Sequence, residues 1–144
     1  MSTTAELLQK YSTFEYILLG DLRDLLEEPE DEFTGKWLLA VLDSLVQTLP
    51  VELELQELDG YLSPVTDKYP SWTPRVEMLH RKQADLFETL RLLRDRIASN
   101  TSFHEVAAVV RLELRDWMLC CIAQRRSETR LLQTAMNLDV GAGD

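Results

Sequence analysis

"CCIAQRRSETRLLQ", residues 120–133, can be read in two ways. As charge, Arg125 and Arg126 belong to a basic surface. As helical spacing, Gln124 and Glu128 stand four apart and leave one face a turn from each other, which suits a metal or a buried polar pair. That face continues both ways: Val106, Val110, Glu113 or Leu114, Trp117 and Cys120 or Cys121 before it, Leu131 and Ala135 after it. The spacing of three and four predicts a long amphipathic helix. Arg125 and Arg126 then form its flank.

Three further segments carry the same period. The first opens with Thr3 and Glu6 in capping-box spacing and runs Leu8, Tyr11, Leu18, Leu22, Leu25. "EEPEDEFTG" breaks it, and Thr34 is the expected cap of the second. That segment runs Leu38, Leu42, Leu45, Leu49, Glu52, Gln56, with Pro50 positioned to kink it or divide it into two helices. The long connection "LDGYLSPVTDKYPSWTP" is expected to be an ordered loop packed on one end of the molecule. Thr73 and Pro74 start the third segment, which runs Val76, His80, Gln83, Phe87, Leu90, Ile97, with Leu79, Leu86 and Leu93 beside it. Ser102 and Glu105 form a second capping box before the fourth segment. The fold class expected is all-α, an up-down-up-down four-helix bundle. It forms one domain over 1–144, with a core of about 5–138 and a short tail at 139–144.

Composition agrees. Apolar residues make up 45% and charged residues 28%, with glycine and proline scarce, which is the balance of a folded helical chain. The net charge of −10 disfavours binding to nucleic-acid phosphates. No apolar run approaches the roughly 20 residues of a membrane span, and "MSTTAELLQKYS" lacks the pattern of a secretory signal. The expected location is the cytoplasm, with no membrane partner. Cys120 and Cys121 point about 100° apart on a helix, a poor geometry for a disulfide, and are read as free thiols in a reducing compartment.

The apolar stripes are interrupted at one level. Glu52 and Gln56 fall inward on the second segment, His80 and Gln83 on the third, Gln124 and Glu128 on the fourth. Buried polar groups need partners, so the cluster is a satisfied network, a wet cavity or a metal site. His80 and Glu128 are expected to pair across the third and fourth helices.

"VELELQELDGYL" (51–62), "RVEMLHRKQADLFETLRLL" (75–93) and "RRSETRLLQTAMNLDVGAGD" (125–144) resemble three blocks of the hemerythrin-like family, the HHE cation-binding domains. The resemblance covers roughly residues 14 to 142. It implies a four-helix bundle that in the family holds a di-iron centre, with roles in oxygen binding, oxygen or iron sensing, or nitrosative stress. Family members carry a histidine on the first helix, His-x-x-x-Glu on the second, a histidine on the third and His-x-x-x-Glu on the fourth. On that pattern His80 is the third-helix histidine and Glu128 the fourth-helix glutamate. Gln124 stands in place of the fourth-helix histidine, and Glu52 and Gln56 replace the second-helix pair. The first-helix histidine falls near Glu15 or Leu19, and His104 matches no ligand.

The resemblance therefore implies a degenerate member that has lost its di-iron site, with neither cofactor nor metal expected. The function expected is a non-enzymatic protein that binds an unidentified protein partner or small ligand in a regulatory role. The alternative is a single Zn, Mn or Fe ion on Glu52, His80 and Glu128, with a sensing or stress role. No catalytic constellation, glycine-rich phosphate loop or CxxC motif points to an enzyme. The pattern leaves room for an oligomer.

Overall fold

Thr3 caps α1 (Thr4–Leu26), its hydroxyl accepting from the Glu6 amide at 3.1 Å and satisfying one of the free amides at a helix start. The structure is a computed structural model describing residues 3–100 and 102–143, with 138–143 described by backbone alone. α1 stops at Leu26, whose carbonyl accepts from Arg111 and, at 2.9 Å, from Arg115. Cationic donors suit the negative end of a helix.

α2 (Glu32–Asp59) corrects two expectations. Asp31, not Thr34, is the cap: its Oδ1 accepts from the Thr34 amide at 2.8 Å, while the Thr34 side chain is buried in the first turn. That hydrogen bond holds the Asp31 carboxyl below its ordinary pKa. Pro50 divides nothing and lies on the exposed side of one continuous helix. Leu42 and Leu45 before it and Glu52 and Leu55 after it are all buried, so packing on both sides outweighs the hydrogen bond proline removes. The helix ends at Gly60, in the left-handed region at φ 69°. The Gly60 amide reaches the Glu57 carbonyl at 3.2 Å and the Tyr61 amide reaches the Gln56 carbonyl at 3.0 Å, the two bonds of a Schellman stop.

The proline-rich connection folds into α3 (Ser63–Lys68) and a 3-10 turn, Pro70–Trp72, on which Tyr69 and Trp72 stack at 4.6 Å. α4 (Thr73–Ser99) starts where Thr73 and Pro74 predict. α5 (Phe103–Gly143) follows, with its backbone helical through most of the stretch read as a tail; Asp144 lies outside the described residues. Ser102 does not close a capping box. Its hydroxyl donates to Glu32 at 3.1 Å, tying the starts of α5 and α2 together, and the Glu105 amide takes the Ser102 carbonyl at 3.3 Å.

α1 packs on α2, α2 on α4, α4 on α5, and α5 returns to α1, an up-down four-helix bundle. Its apolar interior has two parts. The larger joins Leu22, Leu42, Leu45, Leu90, Val110, Leu114 and Trp117 with their neighbours. The smaller joins Leu62, Val65, Val76, Leu79, Leu131 and Ala135 beneath Tyr61, Tyr69 and Trp72. Among the described residues no helix is long and apolar enough to cross a membrane.

Gly60→Ala is expected to lose about 1–2 kcal/mol of stability, because a Cβ disfavours the left-handed conformation. The same Cβ would stand 3.2 Å from Ser63 Oγ. Urea denaturation measures the difference, and an unchanged midpoint would mean the turn relaxes without strain.

Candidate functional site

The break between the two apolar clusters is where the polar residues meet. Four polar side chains there are nearly inaccessible: Glu52 at 2%, Glu128 at 3%, Glu15 at 6% and Gln124 at 7% exposure. They come from three helices and surround a cavity of about 60 Å³, walled by Leu49, Leu53, Leu86, Phe87 and Trp117 and also lined by Gln56, Gln83, Cys121 and Arg125.

On the α5 side two amides converge on one oxygen of Glu128. Gln124 donates through Nε2 to the Leu79 carbonyl at 2.7 Å and to Glu128 Oε1 at 3.3 Å. The Leu79 carbonyl accepts only, so it fixes which end of the Gln124 amide is nitrogen. Gln83 on α4 donates to the same Glu128 oxygen and, at 3.5 Å, to Gln56 Oε1 on α2. Trp117 anchors the wall by donating its indole N–H to the Leu86 carbonyl at 2.8 Å.

On the α1 and α2 side a guanidinium enters. Arg125 is a flank residue by its sequence position, and its side chain is 45% exposed. Yet its head turns inward and meets Glu15 with two nitrogens, Nε standing 3.1 Å from Oε1. Its Nη2 also donates to Glu52 Oε1 at 2.9 Å. Ser12 on α1 donates to that same oxygen at 3.2 Å. The other Glu52 oxygen, Oε2, is buried with no hydrogen-bond partner. Arg126, the next residue, is exposed.

The guanidinium thus holds two of the three buried carboxylates, Glu15 and Glu52. Burial pushes the Glu52 carboxyl up to about 7, with the Ser12 hydrogen bond opposing. Burial also raises Glu128, against the hydrogen bond from Gln124 and the charge of Arg125. Tyr61 is raised by burial and then by the charges of Glu128 and Glu52. Cys121 faces the cavity as a free thiol, pushed up to about 12 by burial, while Cys120 is exposed.

His80 corrects the reading of α4. The buried residues Val76, Leu79, Leu90, Leu93 and Ile97, with half-buried Gln83 and Leu86 between them, step by three and then four. Leu79, not His80, therefore takes the inward position, and His80 is exposed. It lines a second pocket of about 350 Å³ with Tyr61, Leu62 and Val76. The hydrogen-bond donors to Glu128 are Gln83 and Gln124, and the expected partner His80 acts on Glu128 through its charge, which lowers that carboxyl, and not through a hydrogen bond. Among the described residues no group of three or more His, Cys, Asp or Glu could hold a metal ion, so Glu52, His80 and Glu128 do not form the alternative metal set. His104 is exposed, with Nδ1 3.4 Å from the Glu30 carbonyl.

Glu15, one of two candidates for the first-helix position, is the one that enters the chamber, and Ser12 and Arg125 join it without having been expected there. Glu15 carried a signal, since it lies seven residues from both Leu8 and Leu22 in the gap of the first stripe. Arg125 carried none, because its direction is set by the carboxylates it reaches. No family model, curated protein or solved structure matches this chain.

Two outcomes are expected. Arg125→Met should cost about 2 kcal/mol, less than for a fully buried pair because half of the arginine lies in solvent. Arg126→Met should be near neutral; equal effects in urea denaturation would return Arg125 to the flank. The second concerns pH. The folded value of Glu52 lies above its ordinary 4.5, so the native state binds the extra proton. Its contribution is full below the unfolded value and is lost as pH rises through about 7. The shift corresponds to on the order of 3 kcal/mol, and Glu52→Gln should flatten the decline between about pH 5 and pH 7 while stabilising the chain above it. A mutant with the wild-type pH slope would show that another group sets it.

Proposed function

We propose that this chain is a non-enzymatic helical bundle of the hemerythrin-like type whose di-iron chemistry has been lost and whose central cavity receives a small ligand in a regulatory role in the cytoplasm. The observation that carries the reading is the cavity itself, in which Glu52 Oε2 is buried without a partner. The family likeness is supported by level: Glu15, Glu52, Gln56, Gln124 and Glu128, which fall on or beside the family's ligand positions, line one chamber.

The residues present do not fit a di-iron centre. The inner amides turn N–H donors toward Glu128, and a metal requires lone pairs there. His80, the one imidazole at a family ligand position, stands at the rim. Arg125 supplies a cation from within the chain, held by Glu15 and Glu52.

A protein partner is the second reading, favoured by exposed Val109, Leu112, Leu119 and Ile122 along one side of α5. The two readings differ in where a bound molecule is felt. Small neutral and charged fragments titrated into the whole chain should shift the Trp117 indole N–H resonance, which reports on the cavity wall. Shifts confined to the α5 exterior would favour the partner. Elemental analysis of untagged protein from iron-replete cells should find substoichiometric iron, and a full di-iron complement would overturn the proposal.

A further inference from the structure

We infer that the chamber takes the ammonium head of a slender primary amine, whose alkyl body lies in the adjoining pocket beneath Tyr61. This assignment of a ligand class rests on the small-ligand reading of the cavity.

Charge comes first. Glu15, Glu52 and Glu128 line the chamber, and Arg125 is the cation that lines it with them. Arg125 is committed bidentately to Glu15 and reaches Glu52 through one nitrogen. Glu52 is 2% exposed, and its Oε2 meets no donor. A buried carboxylate oxygen without a donor is costly, and an N⁺–H donor is the group that satisfies it best. An ammonium brings three such donors. The chamber holds acceptors for more than one: Glu52 Oε2, the Glu128 carboxylate and Gln56 Oε1, whose contact with Gln83 is long at 3.5 Å.

Size and shape select further. About 60 Å³ has room for a few waters or one small head group, not for an aromatic ring. The rest of the ligand must lie elsewhere, and the geometry provides a place. The pocket of about 350 Å³ shares Leu53, Gln56 and Gln83 with the chamber, so the Gln56–Gln83 amide contact is the partition between them. Beyond it stand Leu62, Val76 and Ala84, which suit methylenes, and the Tyr61 ring. A quaternary ammonium fills the head space without donating. A neutral alcohol donates once and leaves the carboxylate excess in place. A divalent metal meets the inward N–H groups of Gln83 and Gln124.

The experiment is an NMR titration of the full chain with n-butylammonium, alongside n-butanol and tetramethylammonium at matched ionic strength. Butylammonium should saturate and shift the Trp117 indole and Tyr61 resonances, and the other two should not. Glu52→Gln, which leaves the packing in place, should weaken the affinity by about tenfold or more, the size of one charge-assisted contact. Glu54→Gln, exposed on α2, should leave it unchanged, which separates the chamber from attraction to the net charge of −10. The groups facing Glu52 are Ser12 and Glu15 from α1, Arg125 and Glu128 from α5, and Tyr61 after α2. Binding should weaken from about pH 8 to about pH 6 as a proton competes for the carboxylate. Butanol binding equal to butylammonium, or undiminished binding in Glu52→Gln, would overturn the amine while leaving a small-ligand cavity. Failure of every compound to move the chamber resonances would overturn both.

Discussion

One guanidinium between two buried carboxylates organises the middle of this molecule. Arg125 starts from the surface of α5 and ends against Glu15 of α1 and Glu52 of α2, so a single side chain joins three helices at the level where their leucines give way. Two ionised carboxylates facing each other across an apolar chamber would drive α1 and α2 apart. With the planar fork of arginine between them, the same groups hold the helices together. Stability and site therefore share one interaction: the chamber keeps its shape because Arg125 is engaged, and it keeps an unsatisfied oxygen because Arg125 is engaged mainly with Glu15.

The division of the core follows from that polar level. The leucine clusters on either side are ordinary bundle packing and carry the fold. Between them the chain places acids in a setting where burial raises their pKa values, and the native state accommodates this by taking up a proton near neutrality. An apolar layer of the same volume would be at least as stable. What the polar layer adds is a cavity whose net charge depends on what occupies it, and that coupling is a useful property in a binding protein.

Much of this was legible in the sequence. The bundle follows from leucines at spacings of three and four, and Gln124, Glu128 and Glu52 fall inward because they continue those stripes. Errors arose where period alone is ambiguous. Val76 is followed by candidates at both plus three and plus four, and choosing His80 over Leu79 turned the histidine inward by about 100°. Pro50 suggested a break because proline breaks isolated helices, whereas here buried residues on both sides hold the helix through it. Arg125 could not be placed from its own helix. Its stem starts on the outer face, and only the positions of Glu15 and Glu52, distant in sequence, show that its head turns in.

The amides clarify what kind of site this is. A glutamine offers a polar side chain that donates and accepts without carrying charge. Gln124 and Gln83 use that chemistry alike, turning N–H groups to Glu128 Oε1, while the Leu79 carbonyl holds the Gln124 amide in orientation. Such a shell stabilises an anion and disfavours a bare cation beside it. Glu52 has no equivalent pair of amides, only Ser12 and a shared arginine on Oε1. The two carboxylates are therefore unequal: Glu128 Oε1 receives two amide donors, and Glu52 Oε2 receives none. A ligand that brings its own N–H donors completes the second without displacing the first. The asymmetry, rather than the number of acids, gives the chamber a direction and its preference for a hydrogen-bonding cation.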